Sequence, residues 1–130
     1  MTVGIQIIAD LYGIDGDLIA RKEKVYQIVE DAVRAGRLTK ISSDYYQFQP
    51  SGVTGIVLLA ESHLAFHTWP EHGLVTLDIY TCGDPSHADA AFNYLVKILK
   101  PTSVEYKRLT RGNMIEEEVR AVNSANAALQ

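Results

Sequence analysis

Three strand-like runs, Val53 to Ala60, His63 to Trp69 and Leu74 to Thr81, follow one another with only residues 61–62 and 70–73 between them. A parallel crossover needs a dozen or more residues, whereas antiparallel neighbours join through tight turns. These runs are therefore predicted to form an antiparallel meander, and the rest of the chain has to pack around it.

The flanking segments supply the packing. Val3 to Leu11 is a short Ile-rich run that ends at Gly13 and the Asp15-Gly16-Asp17 cluster, which reads as a first strand and a turn. From Leu18 to Ala35, Val25, Tyr26, Val29, Ala32 and Val33 fall at helical spacing with charges between them, and Gly36 supplies the stop. Leu38 to Gln49 is β-branched and aromatic and closes at Pro50-Ser51-Gly52, a turn signal. After Gly83-Asp84-Pro85, Ser86 reads as an N-cap with Asp89 three residues on. Ala88, Ala91, Phe92, Leu95 and Leu99 form a helical stripe behind it. Pro101 ends that helix, and Val104 to Leu109 reads as a last strand. The order β-α-β-β-β-β-α-β predicts an α+β two-layer sandwich, a mainly antiparallel sheet with its helices on one face. Residues 1–112 make one domain, and 113–130, rich in Glu, Ala and Asn, read as a C-terminal helix or tail.

Composition narrows the class. The chain of 130 residues is 47% hydrophobic and 22% charged, as in ordinary globular domains. A net charge of −4 with scattered Lys and Arg gives no electrostatic footprint for nucleic acid. One cysteine cannot form an internal disulfide, which fits a reducing, cytoplasmic setting. Met1 to Asp10 has no basic region and no long apolar core, so no signal peptide is expected there, and no apolar run is long enough to span a membrane.

The reactive residues gather in and beside the meander: Ser62, His63, His67 and Cys82. Side chains alternate along a strand, so His63, Ala65, His67 and Trp69 share a face, and imidazoles there need partners. Three chemistries compete on the residues alone. His63, His67, His72 and Cys82 could ligate zinc, although their spacing matches no compact zinc signature. Ser62 with His67 could form a hydrolase pair, although no Gly-x-Ser-x-Gly elbow surrounds Ser62. Cys82, at a strand end near the surface, could be a reactive thiol rather than a small buried hydrophobe.

Pro50-x-Gly52-Val53-Thr54-Gly55, Glu61-Ser62-His63, His67-Thr68-Trp69-Pro70-Glu71 and Asp78-x-Tyr80-Thr81-Cys82-Gly83 together closely resemble the prokaryotic S-adenosylmethionine decarboxylases, from about Gly4 to Gly112. The resemblance implies a proenzyme that cuts itself between Glu61 and Ser62. The Ser62 hydroxyl attacks the Glu61 carbonyl, an uphill shift that a strained turn and oxyanion donors would favour. His67 then removes the Ser62 α-proton, and elimination leaves a pyruvoyl group heading an α chain of 62–130, with a β chain of 1–61. That carbonyl takes the substrate amine as a Schiff base and draws in the electrons released with carbon dioxide. By the same resemblance Cys82 is the proton donor of turnover, a role suited to a thiol whose ordinary pKa is near 8.5. Thr54 supports processing in place of a family serine, Glu71 holds the ribose hydroxyls and Phe48 stacks on adenine. Trp69 is assigned to packing. The family's chains pair into homodimers with active sites near the interface, and no metal is required.

The match departs from the family at Gln6, where many members have His, at Tyr46, which replaces a His, and at Leu11-Tyr12-Gly13-Ile14, which lacks a Cys that often follows Tyr-Gly. Gln6 is also placed in the substrate pocket. Related pyruvoyl enzymes of this fold decarboxylate arginine or ornithine, and Gln6 resembles their residue, so a basic amino acid is the alternative substrate. A homologue that never processes itself and serves as a regulatory or structural subunit is the non-enzyme alternative.

Overall fold

The computed structural model describes residues 3–112; the expected C-terminal helix or tail at 113–130 lies outside the described residues. Six strands form one sheet: β1 (Gly4–Tyr12), β2 (Lys40–Gln47), β3 (Val53–Leu59), β4 (Ser62–Trp69), β5 (Leu74–Thr81) and β6 (Ser103–Arg111). The spatial order is β2-β3-β4-β5-β1-β6 and every neighbouring pair is antiparallel. The meander of the sequence is thus the contiguous block β3-β4-β5, and β1 lies between β5 and β6.

Alternation sorts the side chains. Ile5, Ile7, Ala9 and Leu11 of β1, Val53 and Val57 of β3, Leu64 and Phe66 of β4, and Val75, Leu77 and Ile79 of β5 turn inward and are buried. Over them pack α2 (Lys22–Ala35), through Val25, Val29, Ala32 and Val33, and α3 (Pro85–Leu99), through Ala88, Ala91, Phe92, Leu95 and Leu99. Each fully buried aliphatic side chain contributes about 1.5–3 kcal/mol, so this layer carries the stability of the domain. The two-layer sandwich with helices on one face is what the element order predicts.

Several local expectations shift. The helix expected from Leu18 is two: α1 (Gly16–Ile19) and α2, broken at Ala20–Arg21. The Ala20 carbonyl accepts from Gly52 N and from the Gln47 amide, both at 3.0 Å, so tertiary bonds take the acceptor that a continuous helix would use. Gln47 Oε1 also accepts from Lys22 N at 2.6 Å, satisfying one free donor at the start of α2. Tyr26, read as core, is 42% exposed, whereas Glu30 is buried and bonded to Lys40 Nζ and Tyr45 Oη, both at 2.7 Å. At α3 the cap is Asp84, two residues before Ser86, and its carboxylate accepts from Ser86 N at 2.9 Å. Pro85 is then at the first helical position, where its missing N–H costs nothing.

Among the described residues, no helix packs on the second face of the sheet. It carries Ile8 (44% exposed), Ile56 (49%), Leu58 (48%), Leu109 (38%) and Trp69 (39%), interleaved with the imidazoles of β4. Patches of large apolar side chains left in water mark a surface meant to be covered.

Candidate active site

The Glu61-Ser62 bond lies where the β3–β4 turn becomes β4, and several groups fix it. Ala60 N donates to Thr39 O at 2.8 Å. The Glu61 carboxylate accepts from Thr39 N and from Thr39 Oγ1, both at 3.0 Å. Burial pushes this carboxyl up, but the Thr39 bonds, with help from His87, outweigh that and hold it below the ordinary carboxylate range. The Glu61 carbonyl oxygen accepts from Cys82 N at 2.9 Å. That amide is an oxyanion-type donor on the carbonyl a Ser62 attack would reach. Gly83 passes so close that an added Cβ would meet Glu61 Cγ at 3.3 Å. The Cys82 thiol is exposed. Strand register therefore brings Cys82 to the Glu61-Ser62 bond.

Beside it, Thr81 pairs directly with Ser62 across β4 and β5. Its side chain is 1% exposed, and among the described residues Thr81 Oγ1 is the buried side-chain oxygen without a hydrogen-bond partner. Leaving such a hydroxyl unpaired costs about 1–3 kcal/mol.

The other end of β4 is built differently. His67 Nδ1 and Thr54 Oγ1 are 2.8 Å apart, facing one another in the β3–β4 ladder. The His67 ring tilts against Trp69, centroids 5.9 Å apart. Next to them Phe48, Ser51, Gly52, Thr68, Trp69 and Glu71 line a cleft of about 210 Å³. Gly52 shapes its floor with φ +108°, a conformation that side chains rarely adopt. Trp69 is a wall of this cleft and not the packing residue expected. Tyr46 touches Phe48 edge to face at 4.9 Å.

Between the two ends a polar network crosses the open face. Gln6 Nε2 donates to Asp78 Oδ1 at 2.8 Å, and His63 Nε2 lies 3.3 Å from Asp78 Oδ2. The Arg111 guanidinium donates to Gln6 Oε1 and lies 5.5 Å above the Tyr80 ring. Asp78 and Tyr80 stand in a sequence motif and Arg111 in none; their meeting depends on β1 pairing with both β5 and β6, which no local pattern encodes. Gln6 is committed to this network through both ends of its amide.

The structure thus brings Glu61, Ser62 and Cys82 together at one end, and Thr54, His67, Phe48 and Glu71 at the other. It does not bring Ser62 to His67 of the same chain. They are five positions apart on the strand, roughly 17 Å at about 3.3 Å per residue. For the same reason the zinc grouping of His63, His67, His72 and Cys82 is not assembled, and among the described residues no three His, Cys, Asp or Glu side chains converge. No described helix is long and apolar enough to cross a membrane.

Comparison with known proteins matches the chain and its fold. The family model described as S-adenosylmethionine decarboxylase matches residues 5–112. A Thermoplasma acidophilum protein named S-adenosylmethionine decarboxylase proenzyme is 70% identical over 115 residues, 88% of each chain. One of the same name from Picrophilus torridus is 63% identical over 120 residues, 92% of each. The crystal structure of the adenosylmethionine decarboxylase from Aquifex aeolicus superposes with a TM-score of 0.85 at 54% identity, covering 89% of this chain and 96% of that one. With its motifs and its sheet both accounted for, the chain belongs to the S-adenosylmethionine decarboxylase family.

Proposed function

We propose that this protein is a self-processing proenzyme whose mature form decarboxylates S-adenosylmethionine, giving the decarboxylated aminopropyl donor for polyamine synthesis. The observation that carries the reading is the Glu61-Ser62 bond with Cys82 N–H on its carbonyl, at the end of the strand that carries His67. Self-cleavage there leaves a pyruvoyl group on the α chain, which supplies the electron sink for loss of carbon dioxide. The exposed Cys82 thiol beside residue 62 is placed to return a proton to the substrate carbon, and the cleft at Phe48, Trp69 and Glu71 suits an adenosine with its ribose hydroxyls on the carboxylate.

Because the two halves of this constellation are roughly 17 Å apart along one strand, a second copy completes it. A two-fold axis perpendicular to β4, between two open faces, runs the partner's β4 in the opposite sense. The processing base of one protomer then reaches the scissile bond of the other, and Ile8, Ile56, Leu58 and Leu109 are covered. The working unit is thus a homodimer of processed αβ pairs, and small-molecule chemistry with one free thiol suits the cytoplasm.

Relatives over most of the chain's length carry the S-adenosylmethionine name, and Gln6, the residue that suggested a basic amino acid, is bonded into the Asp78–Arg111 network. The arginine and ornithine alternative loses its support there. Carbon dioxide release measured side by side with S-adenosylmethionine, arginine and ornithine tests the reading, together with denaturing mass spectrometry. The expected result is turnover of S-adenosylmethionine alone and two fragments meeting at 61/62. An intact chain after long incubation refutes self-processing, and turnover of arginine refutes the substrate.

A further inference from the structure

We propose that Thr81 supplies the side-chain hydroxyl that serves the Ser62 oxygen during self-cleavage, an assignment that rests on the proenzyme reading above. Thr81 and Ser62 are directly paired in the β4–β5 ladder, so their side chains share one face of the sheet at the separation of cross-strand neighbours. Thr81 is 1% exposed and its Oγ1 has no hydrogen-bond partner in the uncut chain. A buried, unpaired donor is destabilising where it stands, and a valine would fill the site with the same shape and no such cost. Its neighbour is the one residue whose oxygen changes bonding during processing.

The steps show where such a donor acts. In the first, the Ser62 Oγ–C bond to Glu61 forms, the Glu61–Ser62 C–N bond breaks, and the hydroxyl proton passes to the departing nitrogen. In the second, a base takes the Ser62 α-proton and the Cβ–Oγ bond breaks, so Glu61 leaves as a carboxylate carrying that oxygen. Water then replaces the amine of the remaining dehydroalanine, releasing ammonia and giving the pyruvoyl carbonyl. In the uncut chain Cys82 N–H is on the Glu61 carbonyl oxygen, where the charge of the first step develops. The Ser62 oxygen, attacking in the first step and leaving in the second, gains charge as its Cβ bond breaks. The Thr81 hydroxyl faces that side chain and donates to it, which satisfies the orphan and eases the departure.

The test compares Thr81→Val and Thr81→Ser with the unaltered full-length chain, each made in a cell-free system and followed from the end of translation by denaturing mass spectrometry. Thr81→Val is expected to slow cleavage about 10- to 100-fold, the effect of losing one hydrogen bond to a charge-bearing oxygen, with Thr81→Ser close to the unaltered rate. Thermal unfolding is measured in parallel on the uncut Ser62→Ala chain with and without Thr81→Val. An unchanged or raised midpoint is expected, because the substitution removes an unsatisfied group. Cleavage of Thr81→Val at the unaltered rate overturns the assignment, as does a Thr81→Ser chain as slow as the valine variant. A clearly lowered midpoint for Thr81→Val overturns it too, since the threonine would then be structural. If the unaltered chain is never cut between 61 and 62, the proenzyme reading fails instead, and the two failures are distinct.

Discussion

The two ends of β4 are eight residues of one strand, yet they are equipped for different tasks. At Ser62 the backbone is held on every side: Thr39 grips the Glu61 carboxylate, Cys82 N–H holds its carbonyl, and a spare hydroxyl waits at Thr81. At Trp69 the backbone is unremarkable, and side chains do the work. Thr54 orients His67, while Phe48, Trp69 and Glu71 shape a cleft. On the proposed reading, one end presents the bond to be broken, and the other holds a ring system and moves a proton. The strand keeps the two apart, which is why the proposed site draws on two chains.

The sharpest way to break this contrast is to split it between two chains. Ser62→Ala and His67→Ala are each expected to stay uncut alone. Refolded together with distinguishable tags, they should restore cleavage of the His67→Ala chain only, an all-or-none difference by mass spectrometry. No cleavage in the mixture would return His67 to its own chain, against the roughly 17 Å separation.

Cys82→Ala should divide processing from turnover. The Cys82 amide on Glu61 is main chain, so cleavage should survive, whereas carbon dioxide release should fall by roughly 10²- to 10⁴-fold with the proton donor gone. Equal loss of both would mean the thiol acts at the scissile bond itself.

At the cleft, Phe48→Ala should raise KM for S-adenosylmethionine about 10-fold, the scale of one base–aromatic stack, with processing unaffected. Thr54→Val should do the reverse and slow cleavage about 10-fold while leaving KM alone, because its hydroxyl orients the imidazole. An effect on stability alone lies far from both ends. Glu30→Gln should lower stability by about 2 kcal/mol in denaturant unfolding, since it weakens the buried bonds to Lys40 and Tyr45. Burial pushes the Glu30 carboxyl up, yet the bonds from Lys40 and Tyr45 outweigh it and leave it below the ordinary value of 4.5. A carboxyl lowered by folding stabilises fully above that value. Its contribution should fade as pH falls through the lowered folded-state value, and the Gln variant should lack this slope.

The sheet's centre was legible because short gaps leave β3, β4 and β5 one way to pair. The inner and outer sides of each strand followed from alternation, and His63, His67 and Trp69 do share the open face. The structure extends that alternation to Ser62, which falls on the opposite side from His67, five positions away. The motifs carried their roles but not that distance. What stayed hidden was tertiary. Nothing local marks the break at Ala20, which is made by Gly52 and Gln47. Nothing local announces that β1 slips between β5 and β6, and so the Gln6–Asp78–Arg111 network could not be read. Thr81 looked like a strand residue beside a cysteine, and its hydroxyl becomes conspicuous only once every neighbour is known to leave it unpaired.

If the chain is cut between Glu61 and Ser62 as proposed, the position of β1 governs how the two pieces hold together. Residues 1–61 supply β1, β2 and β3, and the remainder supplies β4, β5 and β6, in the spatial order β2-β3-β4-β5-β1-β6. The two pieces are interleaved: a strand of the first is walled in by strands of the second, and α2 and α3 come from different pieces. Neither piece owns a core. The uncut chain assembles by an intramolecular search, but the cut pair, once unfolded, must find each other at a rate set by concentration. The proposed self-cleavage would therefore erase the connection that guided folding, and a mature molecule that melts in dilute solution would have lost its way back.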